Sequence, residues 1–260
     1  MRQIIALTKF YSLSLLKQKA TQVMILLTVV FLGISWLISD VNIATKFKLF
    51  EDVLLTSQMA LLHLSAMFYT FEFLQKERIG GLYVLPLSTG MKRSHYLLSV
   101  FLMLSTVLVL FLSILMVIDA LVLYVVEGSL RVEVLWQLVL YFFSAQLLAF
   151  IVIMFSQYVS IMNSLTYAIT LYFMGNALDE LYYYAFILKK NELLQQVYDV
   201  LLFIIPNFSI YDKQGIVVNQ SVYLNSELYL EPLLYTLIVT VIIYNLALFK
   251  FKRKALRLGE

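Results

Sequence analysis

The chain has 260 residues, of which 62% are hydrophobic and 13% are charged. Soluble domains contain about 45–50% apolar and about 25% charged residues, and a single core of this size could not bury so much apolar surface. The net charge of +3 is too small to indicate nucleic-acid binding. The absence of cysteine excludes disulfides, thiolate metal sites and a cysteine nucleophile. The composition predicts an integral membrane protein.

Long apolar runs predict an all-α polytopic fold, since a helix that crosses a bilayer needs about 20 mostly apolar residues. One run, 135–178, has about twice that length and no charged residue, so we expect it to turn back where polar residues cluster, near 157–164. The chain then forms one transmembrane domain, 1–260, with six spans. These spans are predicted at residues 21–38, 53–74, 96–126, 135–158, 164–178 and 233–249.

Residues 1–20 precede the first span and mix apolar with basic residues. They do not form a cleavable signal peptide, because the apolar run begins only after Lys17 and Lys19 and lacks a small-residue cleavage site. An apolar stripe favours a helix that lies in the membrane interface, with its lysines near anionic lipid headgroups. The stripe consists of Ile4, Leu7, Tyr11 and Leu15. The alternative is that these residues simply begin a long first helix.

The distribution of basic residues predicts the orientation. With a cytoplasmic N-terminus, the cytoplasmic connections and termini carry 13 Lys and Arg residues and the external ones carry 6. Because positive charge is enriched on the cytoplasmic side, both termini are expected to be cytoplasmic. An even number of spans returns the basic tail to that side.

An external segment of about 50 residues, 179–231, is predicted between the last two spans. Within it, residues 193–205 are apolar but too short to span, and Asp199 would be costly inside a bilayer. We therefore expect an amphipathic helix at the outer surface that ends before Pro206, followed by a turn at Asn207. Its predicted apolar stripe contains Leu194, Val197, Leu201 and Phe208.

The connection between the second and third spans, 75–95, is longer than the roughly 2–8 residues that join packed helices. Alternating charges that include Glu77 and Arg78 come first, and Gly80-Gly81 then breaks the helix. A short apolar piece leads through Pro86 to Ser88, after which a basic helix begins. Such a segment is either a locally folded loop that touches only its own helices or a docking element for a cytoplasmic partner.

This pattern resembles the first cytoplasmic loop of type-2 ABC exporter permeases, where a coupling helix binds the ATP-binding subunit. The residues that carry the resemblance are Glu77, Arg78, Gly80, Leu82, Pro86, Leu87, Ser88 and the helix restart at 92–98. The order of spans and segments is also similar. Residues 205–208 and Tyr211-Asp212 look like the group of permeases that mature multicopper enzymes, which includes the nitrous-oxide-reductase maturation permease.

The resemblance implies a subunit of an ATP-driven transporter in the bacterial cytoplasmic (inner) membrane. Its partners would be an ATP-binding subunit, which carries the ATP and Mg²⁺, a second permease copy or a paralogue, membrane lipid and an extracytoplasmic protein. The implied contacts to the ATP-binding subunit are Glu77, Arg78, Gly80, Gly81, Leu82, Pro86 and Ser88. The predicted external helix and the turn after it either cap the outer mouth of the pathway or bind an external partner, with Leu194, Leu201, Pro206 and Asn207 as the candidate cap residues.

The motifs of common enzymes are missing from the sequence. It has no Walker A loop, so ATP hydrolysis requires another polypeptide. It has no HExxH or Gly-x-Ser-x-Gly motif, and it suggests no serine–histidine pairing. With only two histidines, His63 and His95, we expect neither a metal site nor an enzyme.

A few polar residues lie inside the predicted spans, where ionisable groups usually face protein or water. His63 is either a neutral histidine bonded to a neighbouring helix or a contact for substrate, and Glu72 is a further candidate for the transport pathway. Asp119 lies so far along its span that we expect it near the outer interface. The alternative function is a membrane scaffold that holds an extracytoplasmic partner without transport.

Overall fold

The computed structural model describes residues 2–39, 46–127, 131–188, 191–218 and 226–253. These residues are helical throughout, apart from turns, and contain no strand. The helices are α1 (Arg2–Leu16), α2 (Lys19–Ser39), α3 (Lys46–Gly80), α4 (Val84–Ser88), α5 (Arg93–Glu127), α6 (Val132–Ser156), α7 (Ile161–Asn176), α8 (Leu178–Tyr182), α9 (Glu192–Ile204), α10 (Gln214–Val218) and α11 (Ser226–Arg253). A π-helical turn, Tyr183–Leu188, follows α8, and a 3₁₀ turn, Ser209–Tyr211, precedes α10. The all-α fold predicted from the sequence is confirmed.

Four helices among the described residues are long and apolar enough to cross a membrane, as expected of a membrane protein. They are Lys48–Arg78, Arg93–Val125, Val132–Ser156 and Tyr229–Arg253. Gln3–Leu16 and Thr21–Leu37 meet at a bend of 58° and make a fifth if the pair counts as one span. The predicted span 164–178 lies mostly in α7, which has only 16 residues but is followed by further helical turns to residue 188.

Helix α6 lies at the centre of the bundle and contacts α3, α5, α7 and α11. Most of its side chains are buried, whereas α11 leaves most of its surface exposed. Small residues such as Ala145 and Ala149 let the neighbouring helices approach closely. The rings of Phe101 on α5 and Phe150 on α6 lie 4.3 Å apart between centroids. The chain turns between α6 and α7, where the sequence predicted that the long apolar run turns back.

The charged residues gather at two opposite ends of the bundle. At the basic end, α3 ends and α5 begins beside the C-terminal ends of α6 and α11, as hydrogen bonds from Arg78 and Arg93 show. The basic residues at this end are Lys76, Arg78, Lys92, Arg93, Lys250, Lys252 and Arg253. At the acidic end, α3 and α6 begin, and Glu51 pairs with Arg131. The C-terminal end of the last helix therefore lies at the same end as the α3–α5 connection.

Two glycines shape the connection between α3 and α5. Gly81 follows α3 with φ +59°, and Gly90 follows α4 with φ +85°. These are left-handed conformations that side chains with a Cβ avoid. The predicted helix end, glycine break and basic restart are all present, because α3 ends at Gly80 and α5 begins at Arg93.

Only one glycine of the Gly80-Gly81 pair is expected to be essential for this turn. Replacing Gly81 with alanine forces a residue with a Cβ into the left-handed region, which costs roughly 1–2 kcal/mol. A Cβ at Gly80 meets nothing within 4 Å, so Gly80→Ala is the matched control and should leave the thermal unfolding temperature in detergent unchanged. Equal losses in both variants would contradict the conformational argument.

Candidate functional site

The segment between α3 and α5, defined as residues 77–96 so that it includes the last turn of α3 and the first turn of α5, is attached to α6 by Arg78. The Arg78 guanidinium donates from Nη2 to the carbonyl oxygens of Ser156 at 2.6 Å and Val159 at 2.9 Å. The last carbonyls of a helix have no partner within the helix and carry a partial negative charge. Arg78 therefore caps the end of α6 and fixes the turn into α7.

A second arginine attaches the segment to the last helix in the same way. Arg93 donates from Nη1 to the carbonyl oxygens of Phe251 at 2.9 Å and Lys252 at 2.7 Å. The hydroxyl of Tyr244 on α11 donates back to the carbonyl of Ser94 at 2.9 Å. The start of α5 and the C-terminal end of α11 are thus held together from both sides.

The same segment is joined to α1, and its two helix ends are joined to each other. The Tyr11 hydroxyl donates to the Leu82 carbonyl at 2.9 Å, across 71 positions of the sequence. The Tyr96 hydroxyl donates to Glu77 Oε1 at 2.8 Å, and Glu77 is only 9% exposed. Glu77 and Arg78, both predicted to contact an ATP-binding subunit, therefore lie where they hold the segment to the bundle.

The other predicted contact residues lie at the surface of the segment. Gly80 and Ser88 are exposed, while Gly81, Leu82 and Pro86 are half-buried. A groove of about 610 Å³ lies between this segment and α1. Its lining includes Gln3, Phe10, Tyr11, Gly81, Pro86 and Met91. The segment thus has an exposed tip and a base that is bonded to α1, α6 and α11.

His63 is buried between α3 and α6. Its Nδ1 lies 2.7 Å from the carbonyl oxygen of Met59, so this nitrogen carries the hydrogen and donates. Its Nε2 then accepts from the Ser144 hydroxyl at 2.8 Å. No sequence pattern indicates this pairing, because the two residues are 81 positions apart and meet only through helix packing.

This pair has the atoms of a serine–base dyad, yet its surroundings fit a structural bond. A hydrolase needs access for its substrate and donors that stabilise an oxyanion. Ser144 is 2% exposed and His63 is 5% exposed, and the ring of Tyr172 lies 4.6 Å from that of His63. The arrangement agrees with a neutral histidine that bonds a neighbouring helix.

Glu72, the other polar candidate, lies near the basic end of α3 and is half-buried. With the Gln18 amide oriented to satisfy both neighbours, its nitrogen donates to Glu72 Oε2 at 3.0 Å and its oxygen accepts from Lys76 Nζ. The carboxylate thus joins α3 to the bend between α1 and α2. His63 and Glu72 do not form one site, since they bond different neighbours.

At the acidic end, residues 205–217 pack into the bundle. The backbone at Pro206 and Phe208 lies against Gly175 of α7, where a Cβ would come within 2.3 Å of the Pro206 carbonyl oxygen. Gln137 Nε2 on α6 donates to the Tyr211 carbonyl at 2.9 Å. Tyr211 also shares a 2.7 Å hydrogen bond with the Thr236 hydroxyl, and its burial raises the pKa of the phenol.

The helix predicted at 193–205 is present as α9. Asn191 caps it by accepting from the backbone N–H of Leu193 at 2.9 Å, and it ends before Pro206, where Ile205 is extended. Asp199 is exposed, while Leu194 and Leu201 are half-buried. Val197, predicted on the same stripe as these two leucines, is instead exposed and belongs to an uncovered apolar stripe with Leu193, Val200 and Ile204.

Among the described residues, no cluster of three or more His, Cys, Asp or Glu side chains is placed to hold a metal ion. Comparison with known proteins finds no family model that matches the chain and no curated protein that matches it significantly. The described structure therefore identifies the class of the protein as all-α, with several helices apolar enough to span a membrane.

Proposed function

We propose that the protein is the transmembrane subunit of an ATP-driven ABC transporter in a bacterial cytoplasmic membrane. It works as an exporter or delivers a mechanical output, together with a separate ATP-binding subunit and a second copy or paralogue. The observation that carries this proposal is the α3–α5 segment, which is exposed at its tip and bonded at its base to three other helices.

The bonds at the base give the segment a route for passing force into the bundle. Motion of a docked partner would reach α6 through Arg78 and α11 through Arg93, because both arginines bind helix ends directly. Helices are stiff along their axes, so a displacement at the basic end can rearrange packed spans.

The positions of α1 and of the C-terminal end of α11 support six spans with both ends in the cytoplasm. The last helix ends beside Arg93, and Tyr11 of α1 bonds the same α3–α5 segment. This end collects the basic residues, which favours its placement in the cytoplasm. A seventh span formed by α9 would send the end of α11 to the opposite side of the bundle.

The alternative function, a membrane scaffold without transport, is favoured by one feature of the other end. The uncovered stripe on α9 could hold an extracytoplasmic protein, since Leu193 and Ile204 are about two-thirds exposed. In that case the α3–α5 segment would have no ATP-binding partner.

Substitutions at the tip of the segment are expected to release an ATP-binding partner without unfolding the protein. Ser88→Arg and Thr89→Arg place bulky charges at two exposed positions, so binding of the ATP-binding subunit should fall at least tenfold while the unfolding temperature stays unchanged. Gln196→Arg on α9, also exposed, is the matched control at the other end. Co-purification from cells that express both subunits measures the effect, and unchanged binding in both tip variants would contradict the proposal.

A further inference from the structure

Two polar residues meet inside the bundle between α3 and α5. Gln58 and Asp119 are both 0% exposed, and Gln58 Nε2 donates to Asp119 Oδ1 at 2.9 Å. The remaining oxygen of each group, Asp119 Oδ2 and Gln58 Oε1, is buried without a hydrogen-bond partner. Buried polar atoms are nearly always bonded, so two orphaned acceptors on one bonded pair require a donor.

Among the described residues, Gln58 is the only side chain bonded to Asp119, so an ionised carboxylate would have no cationic partner among them. The packed helices carry charged or titratable residues, but these lie toward the ends of the bundle or have partners of their own. They include Glu51, Asp52 and His63 on α3, Arg131, Glu133 and Tyr141 on and beside α6, Arg93 and Tyr124 on α5, Lys9 on α1, and Glu231 and Lys250 on α11. Arg131 already binds Glu51 and the Val217 carbonyl. An isolated carboxylate in such surroundings is very costly.

We propose that Asp119 and Gln58 form a proton-binding site. Asp119 Oδ2 carries the proton and donates it in a hydrogen bond to Gln58 Oε1, while Gln58 Nε2 donates to Asp119 Oδ1. A carboxylic acid has one donor and a carboxamide has both a donor and an acceptor, so the two groups close a reciprocal ring. One added hydrogen satisfies both orphaned oxygens.

A proton fits this site better than a metal cation does. Hard cations such as Ca²⁺ take about 6–8 oxygen ligands, whereas this pair offers two free oxygens. No cluster of three acidic, histidine or cysteine side chains exists in the described part of the chain. The proposed proton site does not depend on the proposed transport function, because it rests only on buried hydrogen-bonding groups within one chain.

Infrared spectroscopy of the full chain in a detergent that has no ester or acid carbonyl group tests the protonation directly. The carbonyl stretch of a protonated carboxylic acid is resolved from those of carboxylates and amides. At pH 7 we expect this band in the wild type, its loss in Asp119→Asn, and a frequency shift in Gln58→Leu, where the acceptor is missing. No acid band at pH 7 in the folded protein would overturn the proposal, because a carboxylate bridged by water or bound to a cation gives none.

Thermal unfolding gives a second readout with a matched control. Asparagine is a neutral mimic of the protonated acid and can keep both hydrogen bonds to Gln58, so Asp119→Asn should unfold at the wild-type temperature. Glu51→Gln neutralises a buried acid that is paired with Arg131, and its unfolding temperature should fall. A loss in Asp119→Asn as large as that in Glu51→Gln would show that Asp119 is ionised.

Discussion

Gly175→Ala is expected to be among the most destabilising single substitutions in the protein. The added Cβ would lie 2.3 Å from the Pro206 carbonyl oxygen and 2.7 Å from the Phe208 ring. Inserting atoms into a packed core costs about 1–3 kcal/mol, and here the nearest atom belongs to backbone that cannot rotate away. The substitution should therefore displace residues 205–211 from the bundle, seen as a lower unfolding temperature in detergent.

Gly33→Ala is the control for this prediction. Gly33 also lies within a helix, but a Cβ there meets nothing within 4 Å. Alanine favours helix by about 1 kcal/mol over glycine, so this variant should be as stable as the wild type or more stable. Equal unfolding temperatures for the two variants would mean that the loop does not pack against α7 as described.

The double substitution Arg78→Ala and Arg93→Ala removes both arginine caps. We expect it to destabilise the basic end of the bundle and to stop motion of the ATP-binding subunit from reaching the spans. Hydrogen bonds to charged groups contribute about 1.5–3 kcal/mol; solvent weakens them at the exposed Arg78, so we expect about 1–2 kcal/mol for each arginine. If force passes through these bonds, the double variant should still bind the ATP-binding subunit but lose most ATP-dependent transport.

Lys92→Ala removes a neighbouring exposed positive charge and is the matched control, with no expected effect on stability or transport. Arg78→Lys keeps the charge but loses the planar guanidinium, and it should fall between wild type and Arg78→Ala. Full transport in the double alanine variant would show that motion reaches the spans by another route.

The sequence predicted the local features of the fold well, because they depend on neighbouring residues. The helix break at Gly81 follows from glycine chemistry, and the end of α9 before Pro206 follows from the geometry of proline. The turn between α6 and α7 follows from the length of the apolar run and its polar interruption. Each signal lies within a few residues of the structure that it predicts.

The contacts that build the candidate site could not be predicted from the sequence. Arg78 binds Ser156 across 78 positions and Arg93 binds Phe251 across 158, so neither cap leaves a local pattern. The expectation for Asp119 concerned only its depth along α5, and its burial against Gln58 depends on how α3 and α5 pack, which no local pattern shows. A glycine within an apolar helix, Gly175, was the one available signal of close packing at the acidic end.

Photo-crosslinking in the bacterial host tests the central claim most directly. A crosslinking amino acid at Thr89 reports on the α3–α5 tip, and the same residue at Asp199 reports on α9; both side chains are exposed. Our account predicts that the Thr89 adduct contains a protein with a P-loop that binds ATP, and that the Asp199 adduct does not. Adducts to an external protein from Asp199, with none to an ATP-binding protein from Thr89, would contradict the transporter assignment and favour the scaffold.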